Sequence, residues 1–454
     1  MHRKKRIFYA FVLIVFLIIL FLIGWFFANS FEGEKPAISL EPLPKFFTKI
    51  QEFKLGIGDR KRGLKRLKIS VKQEGRDITV LEKEFPFNGL LNRQGAHHFE
   101  KEIFIDPQVL NLAQGRVDLY VEVWDYSRRG GGDGNHSLIQ HTMIVDTIPP
   151  ALRAISRQHN INMGGAALIV YQTSSDTEES GVFVDDRFFP GFPVDEKSQE
   201  GNHVSYFAIP HDTSRNPAIY LWAKDMADNN SKTTFYFHIR KNTFRLERLN
   251  ISDRFLERIL PYFSFYPFDP GLSDLEKFLI INNDLRKENH DILLKVGETT
   301  APKKLWEGSF LRLKNAATMA RFADHRIYYY KGEKIDEQDH FGMDLASLPN
   351  SPIQAANHGK IIFADRLGIY GLTVAIDHGQ GVASIYAHMS KIDVALNQDV
   401  QRGEEIGFTG QTGLAAGDHL HFGVMVNGMF VNPIEWFDSH WIKDNITRKL
   451  DLIK

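Results

Sequence analysis

A mainly β chain carried on one N-terminal membrane helix is what this sequence predicts, and three observations predict it. Residues 7–28 form an unbroken apolar stretch without a charge, IFYAFVLIVFLIILFLIGWFFA. Segments such as LKRLKISVKQ and RVDLYVEVWD alternate apolar and polar residues with the period of a half-buried strand. Beyond residue 301, short runs rich in β-branched and aromatic residues are bounded by Gly or Asn, with no long amphipathic helix among them. At 454 residues the chain is too long for one compact core and suggests roughly three domains. Its formal net charge of −1 gives no argument for a nucleic-acid partner. It contains no cysteine, so disulfides, thiolate metal sites and cysteine nucleophiles are excluded, and any metal must be held by His, Asp or Glu.

The elements follow in order. As a helix the apolar stretch reaches ~33 Å, enough to cross a hydrocarbon core of ~30 Å. Arg3, Lys4, Lys5 and Arg6 precede it, which places the N-terminus in the cytoplasm and everything after Asn29 outside. The rival reading is a cleaved signal peptide ending near Ala28-Asn29-Ser30; the stretch is longer than the usual apolar region of such peptides, and an uncleaved anchor over residues 1–28 is expected. Both readings export the rest of the chain. From 29 to 147 and from 148 to 240 two β-sandwich domains are expected. LYVEVWD at 119–125 matches IYLWAKD at 219–225, each followed by a turn-rich segment, SRRGGGDGN and MADNN, and the first copy closes on VDTIPP. This layout resembles the tandem immunoglobulin-like sandwiches of bacterial surface proteins, which implies a spacer and a surface for envelope protein partners. Residues 241–300 read as a helical connector: SDRFLERILPYF halts near Pro261, and Ser273 with Glu276 makes a capping box before Leu275, Phe278, Leu279 and Leu285 on one helix face. Residues 301–454 read as a compact antiparallel β domain.

Chemistry concentrates in that last domain. In DHLHFG, His419 and His421 lie two residues apart on a predicted strand, so they share a face ~7 Å apart while Leu420 and Phe422 point into the core. In QDHFGMD, His340 and Asp344 flank Gly342, where a bulge would let both side chains converge. His388 of IYAHMS ends a strand-like run. Each fragment alone is unremarkable among 18 histidines, but their ordered conjunction among glycines is not.

Residues 335–437 resemble the lysostaphin/LytM-type zinc metallopeptidases of family M23, which cut peptide bonds in bacterial peptidoglycan. HFGMD stands for the family's H-x-G-x-D, YAH for Y-x-H, GQTG for G-x-T-G, HLHF for H-L-H-F, and Asn432, Pro433 and Trp436 for the closing N-P with aromatics. The resemblance implies one zinc ion per chain held by His340, Asp344 and His421, with His388 and His419 as the catalytic pair, a zinc-bound water as nucleophile, and a peptidoglycan peptide as substrate. Two imidazoles and one carboxylate suit Zn²⁺ and leave a position open for water, whose pKa the metal lowers toward ~7. No H-E-x-x-H glutamate is present to act as base, so proton transfer and oxyanion stabilisation fall on His388 and His419 without a division between them. Gly423 stands where many members have Glu, which bears on substrate positioning or strand support. Some relatives of this type lack part of the set and act as non-hydrolytic scaffolds or activators of other wall hydrolases; here all five positions are filled, which favours the enzyme. A third possibility is latency, the site plugged by the connector or an upstream loop. The expected location is the cytoplasmic membrane, single-pass, with the bulk of the chain in a periplasm or outside the cell. His378, His97, His98, His325 and His358 read as structural or surface residues, and GGGDG at 130–134 lacks the Lys-Ser/Thr of a phosphate loop and reads as a turn.

Overall fold

The computed structural model describes residues 2–194, 201–213 and 216–454. It divides into two compact units, Met1–Ile148 with Ala227–Asn229, and Pro149–Met226 with Asn230–Lys454.

The first unit begins with helix α1 (His2–Ser30), whose apolar side chains are exposed along its length and which is long enough to cross a membrane. Two antiparallel sheets follow. Strands Ala37–Glu41, Gln51–Gly58 and His98–Ile105 make one; Leu64–Gln73, Arg76–Glu84, Gly115–Asp125 and His136–Val145 make the body of the other, with the short Phe46–Phe47 added in parallel at its edge. In Gly115–Asp125 the side chains of Val117, Leu119, Val121 and Val123 are fully buried and the residues between them are not. That alternation is the one read from RVDLYVEVWD: a period-2 apolar pattern can bury only one face of a strand. With Phe53, Leu55, Ile57, Leu67, Ile69 and Val71 these residues form the core of the unit.

The second unit starts with two four-stranded sheets, built around Ala166–Thr173 and Asn202–Ala208 in one and Thr177–Val184 and Ile219–Asp225 in the other. The expected second sandwich also spans 195–200 and 214–215, which lie outside the described residues. A three-stranded sheet then joins Leu246–Ile251, His325–Tyr330 and Glu333–Asp339, and between its first two strands come the helices α2 (Asp253–Ile259), α3 (Asp274–Ile280) and α4 (Arg286–Glu298). Ser273 and Glu276 make the expected reciprocal cap of α3. The helix α2 ends at Ile259, beside Pro261 as expected, and a single 3₁₀ turn, Leu260–Phe263, carries the chain on, because a proline in the first turn of a new helical segment loses no hydrogen bond there. A π turn over Ile281–Leu285 connects α3 to α4.

The C-terminal part is an eight-stranded sheet containing β1 (Ala317–Ala320), β2 (Met343–Ala346), β3 (Gly359–Leu367), β4 (Gly371–Asp377), β5 (Val382–Met389), β6 (Asp399–Val400), β7 (Leu420–Val426) and β8 (Met429–Val431). Its order is β1-β2-β7-β5-β4-β3-β6, with β8 paired to β7. Every pair is antiparallel. The runs KIIFAD, LTVAID, VASIYAH and HLHFGVMV thus supply β3, β4, β5 and β7. One buried core runs from Leu168, Tyr206 and Phe207 through Trp306 to Phe422 and Trp436, so the sheets of 149–226 and the C-terminal sheet share their interior.

Candidate metal centre

Strand pairing brings the site together. Asp344 on β2 lies directly opposite His421 on β7, and Ala387 on β5 lies opposite His421 from the other side. His388 therefore reaches the same point from β5. The expected bulge at Gly342 is a break: the strand Glu333–Asp339 ends, His340 and Phe341 cross over, and β2 begins at Met343 in a different sheet. The glycine is required by close approach, since a Cβ there would sit 2.6 Å from the His421 ring and 2.8 Å from the Phe422 carbonyl oxygen.

Three donor atoms meet. His340 Nε2 is 2.9 Å from His421 Nδ1, and Asp344 Oδ1 is 3.0 Å from each of them. All three residues are buried, His340 to 5%, Asp344 to 9% and His421 to 4% exposure. His340 donates its Nδ1–H to the carbonyl of Arg321 at 2.9 Å, so its neutral ring turns the Nε2 lone pair into the cluster. His421 Nδ1 faces that lone pair and the carboxylate together, while its buried Nε2 meets no partner. Only one proton is available for the two acceptors around Nδ1, so a triangle of lone pairs this tight fits a bound cation better than internal hydrogen bonding. Two imidazole nitrogens and one carboxylate oxygen are a donor set suited to zinc.

The other two histidines stand beside this triangle. His388 donates Nδ1–H to the Thr412 carbonyl and His419 donates Nδ1–H to the Gly417 carbonyl, each at 2.8 Å. Both therefore present Nε2 inward, His419 Nε2 lying 3.5 Å from Asp344 Oδ1. The ring centroids of His388 and His419 are 4.9 Å apart. His388 has φ of 62°, a left-handed conformation uncommon for a non-glycine residue, of the kind that clusters where a side chain must be aimed. His419 sits just before β7, bridged to Gly410 of the G-x-T-G turn.

The electrostatics follow from burial and from one carboxylate. Burial alone would raise the Asp344 carboxyl, but the imidazoles of His340, His419 and His421 around it hold it well below the usual carboxylate range. Burial pushes His421 down to about 4 and His388 well below the usual imidazole range, with the neighbouring imidazoles adding to the effect. His419 is also buried, yet its hydrogen bond to Asp344 and the attraction of that charge raise it.

Several contributors were not legible in the sequence. Arg326 donates from Nη2 to Asp344 Oδ2 at 2.9 Å and from Nε to Glu247 at 3.2 Å, so it locks the second carboxylate oxygen. Nothing in HRIYYY marks that residue, because its strand is brought to β2 only by the fold. A cavity of 860 Å³ opens on the site and is walled by Glu247, Tyr370, and, from the connector, Asn283, Arg286 and His290. Gly423 is explained by packing: a Cβ there would lie 2.9 Å from the Phe430 ring, which stacks on Phe341. His378 is fully buried, with Nδ1 on the His358 carbonyl and Nε2 on Ser384 Oγ, both at 2.7 Å, and takes no part in the site. His325 bonds Asp339 at 2.8 Å, and His97 is held between the Asp59 and Asn92 carbonyls.

Residues 338–433 match the model of Peptidase family M23. The chain carries an M23 peptidase domain at its C-terminal end. Over 95 residues the chain is 43% identical to the DD-carboxypeptidase/endopeptidase Mpg of Neisseria meningitidis serogroup B, covering 21% of this chain and 22% of that protein. The peptidoglycan DD-endopeptidase ShyA of Vibrio cholerae is 35% identical over 96 residues, 21% and 22% of the two chains. The murein hydrolase activator EnvC of Escherichia coli is 32% identical over 95 residues, 21% and 23%. The chain thus spans about a fifth of the length of these curated relatives.

Proposed function

We propose that this chain is a membrane-anchored zinc metalloendopeptidase that hydrolyses the peptide cross-links of bacterial peptidoglycan, with α1 in the cytoplasmic membrane and the remainder exported. The observation that carries the reading is the triangle of His340 Nε2, Asp344 Oδ1 and His421 Nδ1 with edges of 2.9–3.0 Å. These three residues are the zinc ligands. When bound there, zinc supplies a Lewis acid for the scissile carbonyl and lowers the pKa of a coordinated water.

The chain's own residues do the rest. His388 and His419, each fixed by its Nδ1–H, offer Nε2 to a substrate in the cleft, where they move protons and stabilise developing negative charge. Arg326 holds the Asp344 carboxylate in one orientation so that Oδ1 faces the metal. The cavity receives an extended peptide. The filled set of five residues argues against the activator reading, although the EnvC likeness makes it the alternative to be tested.

Digestion of purified sacculi by the zinc-loaded, detergent-solubilised chain, with mass analysis of the released fragments, tests the proposal. Release of cleaved cross-link peptides is expected. His340→Ala and His421→Ala should lose zinc, whereas His388→Ala and His419→Ala should keep it and lose hydrolysis. A zinc-loaded wild type that releases nothing from several kinds of peptidoglycan transfers the case to the activator.

A further inference from the structure

A second group of metal-ligating side chains lies within the first unit, apart from the M23 domain. Glu32, two residues beyond α1, meets Asp59, in the turn after strand Gln51–Gly58, and Asp125, the last residue of strand Gly115–Asp125. An oxygen from each lies within 4.8 Å of the others, and the three residues are 8%, 3% and 0% exposed. Burial raises both Glu32 and Asp125 from their ordinary values, and the Asp59 charge adds to each.

Asp59 uses its two oxygens differently. Its Oδ1 accepts three backbone N–H groups, from Lys61 at 3.1 Å, Arg62 at 2.7 Å and Gly63 at 2.6 Å, and so shapes its own turn. Its Oδ2, the oxygen left for the cluster, is buried and meets no donor. An orphaned buried carboxylate oxygen is costly unless a cation reaches it. Arg62 lies beside the cluster and its charge is felt by all three acids, but its Nε and Nη2 both donate to the Tyr126 carbonyl at 3.2 Å, its buried Nη1 meets no acceptor, and among the described residues it forms no ion pair with them. Backbone N–H groups of Glu34, Ser127 and Asn135 also reach Glu32 and Asp125, but the side-chain amide shared between them is overcommitted. Asn135 Nδ2 lies 2.7–3.2 Å from Asp125 Oδ2, Glu32 Oε1 and the carbonyls of Glu32 and Glu34, and an amide has only two hydrogens for these four oxygens.

We infer that Glu32, Asp59 and Asp125 form a calcium site that ties the exit of α1 to the first unit. The donors are all oxygen, which excludes the nitrogen-rich preference of zinc, and ligands on opposite sides of a Ca²⁺ ion stand about 5 Å apart. Magnesium fits less well, because it keeps most of its water and demands a tighter octahedron. The junction is already docked by Ser127 Oγ on the Glu32 carbonyl and Arg129 Nε on the Phe31 carbonyl, each at 2.8 Å. A bound cation neutralises the three charges that oppose this docking. The second unit repeats part of the arrangement, with oxygens of Asp176 and Asp225 within 4.8 Å of one another at the end of the corresponding strand.

Equilibrium dialysis with CaCl2 and thermal melts on the detergent-solubilised, zinc-loaded full chain test the inference. Asp59→Asn is the informative variant: its amide oxygen keeps the three backbone contacts while an NH2 group replaces the free oxygen. The wild type should bind calcium and melt several degrees higher in millimolar CaCl2, with MgCl2 at equal concentration having little effect. Asp59→Asn should bind one calcium fewer, lose the calcium-dependent rise, and melt no lower than wild type without calcium; Glu32→Gln should behave likewise. Equal calcium binding by wild type and both variants overturns the site. So does a wild-type melting point that ignores calcium and rises only on acidification, since the cluster would then hold protons instead of a metal.

Discussion

His340, His388 and His419 share one device: each gives its Nδ1–H to a main-chain carbonyl, of Arg321, Thr412 and Gly417, and so turns Nε2 toward a common point. His421 is the exception, presenting Nδ1 instead. The motif letters HFGMD, YAH and HLHF were legible in the sequence, but these tautomer-setting carbonyls were not, because a backbone oxygen leaves no trace in residue identity. In the sequence Gly342 reads as the place of a bulge, and in the structure its role is space. Gly342→Ala places a methyl group 2.6 Å from the His421 ring; the expected outcome is a folded chain by circular dichroism with much reduced zinc content by metal analysis. Arg326→Gln removes the charge that holds Asp344 Oδ2. Loss of such an outer partner typically costs ~10- to 100-fold in metal affinity, to be read from a zinc-chelator competition curve, with hydrolysis restored at saturating zinc.

At the scale of elements, the strands of the M23 domain were recoverable because each is short, β-branched and ended by Gly or Asn, so local pattern and tertiary role agree. The connector was recoverable only as helix. That α4 and the π turn wall the cleft depends on where they dock, and their polar residues, exposed Asn283 and half-buried Arg286 among them, look like any solvated helix face in the sequence. The capping box at Ser273 is the cheapest place to loosen this wall. Ser273→Ala should cost about 1 kcal/mol of local stability, seen as faster amide exchange across 274–280 while β4 and β5 keep their protection. An accompanying rise in turnover would support the latency reading, in which the connector restricts the cleft.

The whole second unit depends on groups buried in one protonation state. His378 is fully buried between the His358 carbonyl and Ser384, and burial holds its pKa down at about 4, against 6.5 for a free imidazole. The sign follows: its contribution is complete above pH 6.5 and is lost as pH falls through about 4, when the unfolded chain takes up a proton the native state resists. The full difference is about 3 kcal/mol. Urea midpoints of the full chain should therefore fall between pH 7 and pH 4, and His378→Gln should flatten that fall. Glu435 runs the other way. Buried against Asn162 and the Ala166 amide, it is raised to about 7, so its contribution is present below pH 4.5 and lost as pH rises through 7.

By itself the sequence determined the apolar first helix, the strand-rich body, the M23 motifs and the five residues proposed here for the site. These are encoded in residue type and short-range spacing, which physical chemistry reads directly. Only the tertiary structure decided that 149–226 share a core with the M23 sheet, that Arg326 secures Asp344, that the connector walls the cleft, and that three acids from distant positions meet behind α1. Each of these is a long-range juxtaposition set by strand order and docking, and such contacts leave no periodicity in the chain.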